Sequence, residues 1–393
     1  MASSIDVDSM AKFFESLTDP RDTKSRQHLL AEIMVICVCG VMCNAAGPTA
    51  IARWAKANVQ WLSRFLTLPY GVPAKDCIRR VLMAIDPQAF QECFEAWLIA
   101  VLHPSEGDGM RMVAVDGKSC RGSRDEAKGF GPLHLVSAWV GESGICLGQV
   151  ATDAKSNEIT AISKLLSRID LRNSIVTIDA MGCQTEIVEQ IDKAKGVYVI
   201  AVKDNQPKLH AAIEEMVETE LDIARDDLTC EQWESTEKKH GRIDERSYGL
   251  IKLKRGSALN ERWPSVKAIG YAIRLTEDKT GNQTYETRYY ILNRFIGAQA
   301  FARAVRGHWS IESMHWVLDV TFREDAQQTS ERTLANNLSW LRKFAITMLK
   351  RGMKKGESIV GRMQMSGWNT AYLEKVFCGQ WLNRALALGV RWP

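Results

Sequence analysis

The 393-residue chain has no Cys-x2-Cys pair, no apolar run of membrane-spanning length and little net charge, and each absence removes a class of protein. Its ten cysteines (37, 39, 43, 77, 93, 120, 146, 183, 230 and 378) are not spaced as zinc ligands. Most lie inside apolar patterns, where a free thiol acts as a small core side chain, so a reducing, cytoplasmic compartment is expected. The longest apolar run, Ile33 to Cys43, falls short of the ~20 residues a bilayer requires and has Glu32 at its edge. It reads as a buried helix, and no membrane partner is expected. The start, Met1-Ala2-Ser3-Ser4-Ile5-Asp6, has neither a basic segment nor an apolar stretch, so no secretory signal is expected. A formal net charge of +4 is too small to argue for nucleic acid by itself. Its distribution says more: from 326 to 393 there are eleven Lys and Arg against three Glu. No internal repeat or low-complexity tract interrupts the chain.

What is present divides by period. From about Met10 to Leu102 the pattern is helical, over His28 to Cys43, Pro48 to Leu66, Lys75 to Ala84 and Pro87 to Leu102. Pro48 and Pro87 stand where proline suits a first helical turn. Three short helices with a tight turn suit a helix-turn-helix, with Lys75, Arg79 and Arg80 on an exposed face towards phosphates, or equally an ordinary bundle with a solvated basic face. From Gly109 the period becomes two. Met112–Asp116, Leu133–Val140 and Ile145–Ala151 read as strands, the last two joined across Gly141-Glu142-Ser143-Gly144. A helix follows from Asn157 to Arg168, then a strand Ile175–Asp179, a helix Cys183–Lys195, a strand Val197–Val202 and a helix Pro207–Glu220. The order β-β-β-α-β-α-β-α is that of a ribonuclease H-like mixed sheet, an α/β fold in which the first and fourth strands are neighbours. Leu221 to Asn293 breaks this rhythm with strand-like, charged segments and reads as a β-rich insertion, after which the chain is helical again. The expected units are a helical N-terminal domain (1–105), the first part of the core (106–220), the insertion (221–297), a helix completing the core (298–350) and a basic helical C-terminal tail (351–393).

Three acids stand out in that layout. Asp116 and Asp179 each close a short β-branched run, and Glu312 lies far downstream in His308-Trp309-Ser310-Ile311-Glu312. Carboxylates at the ends of neighbouring strands can converge on a pair of hard cations ~3.5–4 Å apart, the arrangement that activates a nucleophile and neutralises charge in phosphodiester cleavage. Either aspartate alone would more often begin a turn. On a helix from about Ala300, His308, Glu312, His315 and Asp319 share one face, while Ile311, Leu318 and Phe322 pack the other. Asp319, Glu324 and Asp325 compete with Glu312 as the third acid, and His308 with His315 at a spacing of seven leaves a zinc site open. Lys118 and Arg121, just after Asp116, are candidates for substrate phosphates or for solvated turn charges.

These same residues resemble the DDE transposases of bacterial insertion sequences, in particular the H-repeat-associated group linked to Rhs elements. The similar stretches are Ala114–Lys118, Lys155–Ile159, Thr177–Gln184, Val202–Gln206 and His308 through Val320, with Asp19-Pro20-Arg21 and the apolar helix after His28 resembling that group's associated helical domain. The resemblance implies a ribonuclease H-like core and a magnesium-dependent triad falling on Asp116, Asp179 and Glu312, with two Mg2+ ions that Mn2+ can replace. It implies terminal inverted repeats and target DNA as double-stranded partners, a dimer on DNA and no small-molecule substrate. It departs from the wider signature Tyr-x2-Arg-x3-Glu-x6-Lys, since Val305, His308 and Asp319 occupy the Tyr, Arg and Lys positions. Lys203, Asn205, Arg306, His308, His315, Arg323, Arg342 and Lys343 join Lys118, Arg121, Lys75, Arg79 and Arg80 as candidate DNA contacts. Two other readings stay open: a DNA-binding protein with a vestigial triad, and a metal-dependent nuclease without strand transfer.

Overall fold

A computed structural model describes residues 12–102, 110–152, 157–223, 230–239, 242–254 and 256–378. The chain's first residues, Lys155-Ser156, His240-Gly241 and the basic residues Arg384 and Arg391 lie outside the described residues.

The N-terminal part is helical: α1 (Leu30–Met42), α2 (Pro48–Ala57), α3 (Val59–Leu62), α4 (Lys75–Ala84) and α5 (Pro87–Leu102). The run expected as one helix over Pro48–Leu66 breaks at Asn58, whose side-chain amide donates to the Trp54 carbonyl at 2.9 Å and competes with the helical ladder. Nearly every residue of α1 is buried. Its acid, Glu32, is also buried, and Oε1 accepts from the Thr67 N–H and hydroxyl and the Leu68 N–H. Burial of that oxygen is compensated by hydrogen bonds, while Oε2 is buried without a hydrogen-bond partner among the described residues. The described part of the chain has no helix long and apolar enough to cross a membrane.

Nine strands form one mixed sheet: β1 (Arg111–Cys120), β2 (Leu133–Val140), β3 (Ile145–Thr152), β4 (Ser174–Ile178), β5 (Val197–Val202), β6 (Cys230–Lys239), β7 (Arg242–Lys252), β8 (Ala268–Glu277) and β9 (Gln283–Leu292). Their order is β3-β2-β1-β4-β5-β9-β8-β7-β6, with β1, β4 and β5 parallel and all other pairs antiparallel. The expected β-rich insertion is therefore no separate layer. Its last strand pairs with β5 and carries the sheet four strands further. The element order through β5 follows the sequence pattern, with one shift: β1 does not stop at Asp116 but runs on to Cys120. Its parallel partner β4 ends opposite Val115, whereas β2 continues to pair with it as far as Leu133.

Helices α6 (Glu158–Leu166), α7 (Thr185–Lys193) and α8 (Pro207–Ile223) cover one face, packing on Val113, Val115, Val136, Val176 and Ile200. On the other face lies α10 (Ala298–Trp316), which follows the short α9 (Leu259–Arg262), with Phe301, Ala302 and Val305 against Met112, Ile175 and Val199. Strand alternation decides which side chain meets which helix. Met112 and Ala114 face α10, so Asp116 does as well.

Beyond α10 come α11 (Arg332–Lys350), α12 (Ile359–Trp368) and α13 (Thr370–Cys378). Glu331 caps α11, accepting from the Thr333 and Leu334 N–H groups, and most of α11 is buried. α11 joins α1, α4 and α5 in one apolar core with residues of α12, α13 and the inner side of α10. Asn337 of α11 donates to the Leu82 and Ile85 carbonyls at the end of α4. The described N-terminal and C-terminal helices thus meet in a single helical body seated against the sheet. The basic C-terminal excess is partly internal: Arg342, Lys343 and Arg362 are buried. Nine of the ten cysteines, all but Cys378, are free thiols.

Candidate active site

Asp116, Asp179 and Glu312 line one cavity of about 440 Å3. β1 and β4 are hydrogen-bonded neighbours, which sets the first two side by side. Asp179 follows β4 directly and begins a tight turn, its carboxylate accepting from the Met181 N–H at 3.1 Å. α10 crosses the same strands and supplies Glu312 from an exposed position. Residues 308, 312, 315 and 319 do share one face, with His308, His315 and Asp319 turned towards the sheet and Glu312 at its exposed edge. His308 Nδ1 is 3.0 Å from the Thr177 hydroxyl of β4, and His315 Nδ1 is 3.6 Å from Asp116 Oδ2. Asp319 pairs with Lys118 at 2.7 Å. Ile311, Leu318 and Phe322 pack into the helical core as expected.

The electrostatics of the cavity are those of crowded, half-buried acids. Burial, together with the negative charges of Asp179, Glu158 and Glu312, outweighs a hydrogen bond from the Gly117 N–H and pushes the Asp116 carboxyl up to about 7. Burial also raises Asp179, with Glu158 adding to it while the Met181 and Gly182 N–H groups and Lys203 oppose. Glu312 is raised by burial against the nearby charge of Arg288. The two histidines stay neutral, burial bringing His308 down to about 4 and, with Lys343 and Lys118, His315 to about 3. The two imidazoles face different strands, His308 towards Thr177 and His315 towards Asp116, and so do not form the zinc pair left open above. Among the described residues no three His, Cys, Asp or Glu side chains are gathered tightly enough to hold a metal ion. The donor chemistry nevertheless fits hard divalent cations: carboxylate oxygens facing one cavity, with their charge only partly offset by Lys203 and Arg288.

Several candidate phosphate contacts are placed elsewhere by the fold. Lys118 is buried and held by Asp319, Glu324 and Asp325 at 2.7, 3.3 and 3.1 Å, so its charge is already neutralised. Arg342 pairs with Glu324 at 3.1 Å, and Lys343 donates to Ser137 and Gln149 in the sheet interior. His308 and His315 are engaged as described, and Asn205 donates to the Ala180 carbonyl at 2.6 Å, tying the loop after β5 to the turn that holds Asp179. Arg121, Lys203, Arg306, Arg323, Lys75, Arg79 and Arg80 are exposed, with Lys203 on the cavity wall. The loop bearing Arg323 to Thr329 packs so closely on Gly122 that a Cβ there would lie 2.0 Å from the Gln327 carbonyl oxygen.

Glu158, His134 and Arg288 were missed as part of this neighbourhood. Glu158 and His134 are buried and joined at 2.9 Å, directly under Gly117, where a Cβ would lie 2.6 Å from Glu158 Oε1 and 2.4 Å from His134 Nε2. The signal for Glu158 was its place in the Lys155–Ile159 stretch; for Arg288, on a strand far from either aspartate, there was none.

These features define a mixed α/β protein with an acidic cavity where two parallel strands end beside a long helix. Its sequence matches the transposase DDE domain over residues 107–348 and the DDE_Tnp_1-associated segment over residues 11–98. The chain belongs to the DDE-domain transposase family. It is 34% identical to "Putative transposase YncI" of Escherichia coli O157:H7 over 94% of both chains. It is also 32% identical to "H repeat-associated putative transposase YhhI" of Escherichia coli (strain K12), over 93% of this chain and 97% of that one. A solved piggyBac transposase synaptic complex with hairpin DNA aligns over 99% of this chain and 81% of that one, with a TM-score of 0.41 and 10% identity, too distant to carry an argument.

Proposed function

We propose that this protein is a transposase that binds the terminal inverted repeats of its own element and performs metal-dependent DNA cleavage and strand transfer. Asp116, Asp179 and Glu312 are its catalytic acids, on a ribonuclease H-like core. The observation that carries the reading is the convergence of three acids, from β1, the β4 turn and α10, on one cavity, in a chain of this family.

Bound at these carboxylates, two Mg2+ ions (or Mn2+) would supply the positive charge that activates a nucleophile and stabilises the phosphate transition state. The chain's own residues do the rest. Asp116 sits on a strand held on both sides, so its carboxylate is fixed relative to Asp179. Neutral His315 and His308 brace α10 against β1 and β4 without adding charge. Water attacks the scissile phosphorus, the bond to the 3′-oxygen breaks, and a 3′-hydroxyl and a 5′-phosphate result. That 3′-hydroxyl then attacks a target phosphodiester, whose own 3′-oxygen departs. By analogy with its family, the working form we propose is a cytoplasmic dimer on DNA.

The test uses purified full-length protein, a labelled terminal repeat, plasmid target and Mg2+. Alanine at Asp116, Asp179 or Glu312 should lower cleavage by more than roughly 100-fold, beyond the usual cost of losing a supporting residue at a metal site, while end binding persists. Full cleavage by Glu312→Ala would overturn the triad. Cleavage without joining would favour a nuclease.

A further inference from the structure

Next to the acidic cavity is a second cleft of opposite character. It has a volume of about 400 Å3, lies between the outer ends of β7–β9 and α10, and is walled by Arg242, Arg246, Arg274, Arg288, Arg306 and Trp309. Arg288 and Trp309 also line the acidic cavity, so the two spaces adjoin. The sheet register explains the density of charge. Arg246 stands directly opposite Arg274 across β7 and β8, and Ala272 opposite Arg288 across β8 and β9. Like charges at directly opposed positions destabilise a sheet unless an anion sits between them.

The fold supplies some of that anion, but not all of it. Asp244 is buried and receives Arg242 at 3.4 Å, Arg246 at 3.0 Å, Arg274 at 2.8 Å and the Thr276 hydroxyl at 2.7 Å. Burial opposes its ionisation, yet the Thr276 and Arg274 hydrogen bonds hold it at about 2, so it stays charged. Glu237 holds Arg306 at 2.6 Å, and Glu286 holds Arg288 at 2.8 Å, with the Arg288 guanidinium 5.2 Å from the Trp309 ring. Five guanidinium groups are thus positioned by three carboxylates. Arg246 Nη1 is buried and makes no hydrogen bond, with Glu237 3.4 Å away. Each guanidinium has five donors, and a planar fork held in place from behind presents the remaining ones to an anion with little further ordering.

We propose that this arginine cleft receives the phosphodiester backbone of the DNA strand leading away from the acidic cavity. The strand's reacting phosphate occupies the acidic cavity, and its neighbouring phosphates rest on Arg242, Arg274 and Arg306, which keep donors towards the opening. The cleft is built by the strands that extend the sheet beyond β5, so this extension is a substrate surface as well as a spacer before α10. The inference rests on the proposed reaction at Asp116, Asp179 and Glu312.

The experiment measures binding of a fluorescein-labelled DNA duplex to the full-length protein by anisotropy, in EDTA, over a range of salt. Each phosphate contact contributes about 0.9 to the slope of log affinity against log salt. The Arg242→Gln/Arg274→Gln double variant should lose roughly 1.8 from that slope and bind more weakly at low salt. Arg242→Gln alone, at a half-exposed side chain with one ion contact at 3.4 Å, should lose about 0.9 with no change in melting temperature, and it decides the matter if the double variant melts early. Equal displacement of DNA from wild type and double variant by inorganic phosphate, at matched ionic strength and with an unchanged slope, would overturn the cleft. Triad variants that bind DNA but do not cleave it would leave the functional reading intact in that case. Wild-type protein that binds no DNA would defeat both.

Discussion

Two groups of charged residues start from the same strand and end in opposite states. Asp116 opens into a cavity with Asp179 and Glu312, short of positive charge. Two residues along β1, Lys118 enters a buried network with Asp319, Glu324 and Asp325, and Glu324 continues it to Arg342. Burial opposes ionisation in both. In the network the charges of Arg342, Lys118 and Lys343 overcome it and hold Glu324 at about 2. In the cavity no equal compensation exists, and Asp116 rises to about 7. A paired acid belongs to the fold, and an uncompensated one stores a cost of burial, with repulsion added, that only a bound cation or a proton relieves.

The largest effect separates the two groups. Glu324→Ala leaves Arg342 without its carboxylate and should cost roughly 3–5 kcal/mol of stability, read as a fall in denaturant midpoint or as insoluble protein. Glu312→Ala should melt like wild type. A stable Glu324→Ala protein with no cleavage would merge the groups and move the third catalytic acid to Glu324.

A second, smaller effect follows from Asp116. Its carboxyl holds a proton more tightly in the folded protein, about 7, than in the unfolded chain, near 3.8. Metal-free protein should therefore lose stability as pH rises from about 4 to about 7, with the loss complete above that window. At pH 8 Asp116→Asn should regain up to roughly 4 kcal/mol, taking 1.36 kcal/mol per pKa unit. Mg2+ should raise the melting temperature of wild type at that pH but not that of Asp116→Asn. Identical pH profiles for the two metal-free proteins would refute the stored repulsion.

The smallest effect concerns α4, where Lys75, Arg79 and Arg80 are exposed and only loosely paired, Arg79 lying 3.8 Å from Asp76. The Arg79→Gln/Arg80→Gln protein should keep its stability within about 0.5 kcal/mol. It should lose up to roughly 1.8 from the salt slope of DNA binding if this face meets phosphates. An unchanged slope would identify an ordinary solvated face.

Most of the element pattern was legible because it depends on local period. The largely apolar, β-branched and aromatic run Leu133–Val140, buried at every position, and the stop at Gly141 mark β2 without reference to any other segment. The break at Asn58 was not legible, because it depends on one side-chain amide choosing a carbonyl of its own helix. Of the candidate site, the three acids were legible from strand ends and a helical motif. The buried settings of the candidate contacts Lys118 and Lys343 were not legible, because a basic residue looks the same in sequence whether it faces solvent, a buried carboxylate or, as Lys343 does, Ser137 and Gln149.

By itself, then, the sequence determined most of the helices, the strands through β5 and the shared face of His308, Glu312, His315 and Asp319, all of which follow from periodicity along the chain, and it singled out the three candidate acids. Only the tertiary structure decided that the inserted strands extend the same sheet, that the described N-terminal and C-terminal helices share one core, and which charges are paired. Those outcomes depend on contacts between residues far apart in the chain, such as Lys118 with Glu324 and Asn337 with Leu82, and no local pattern encodes them.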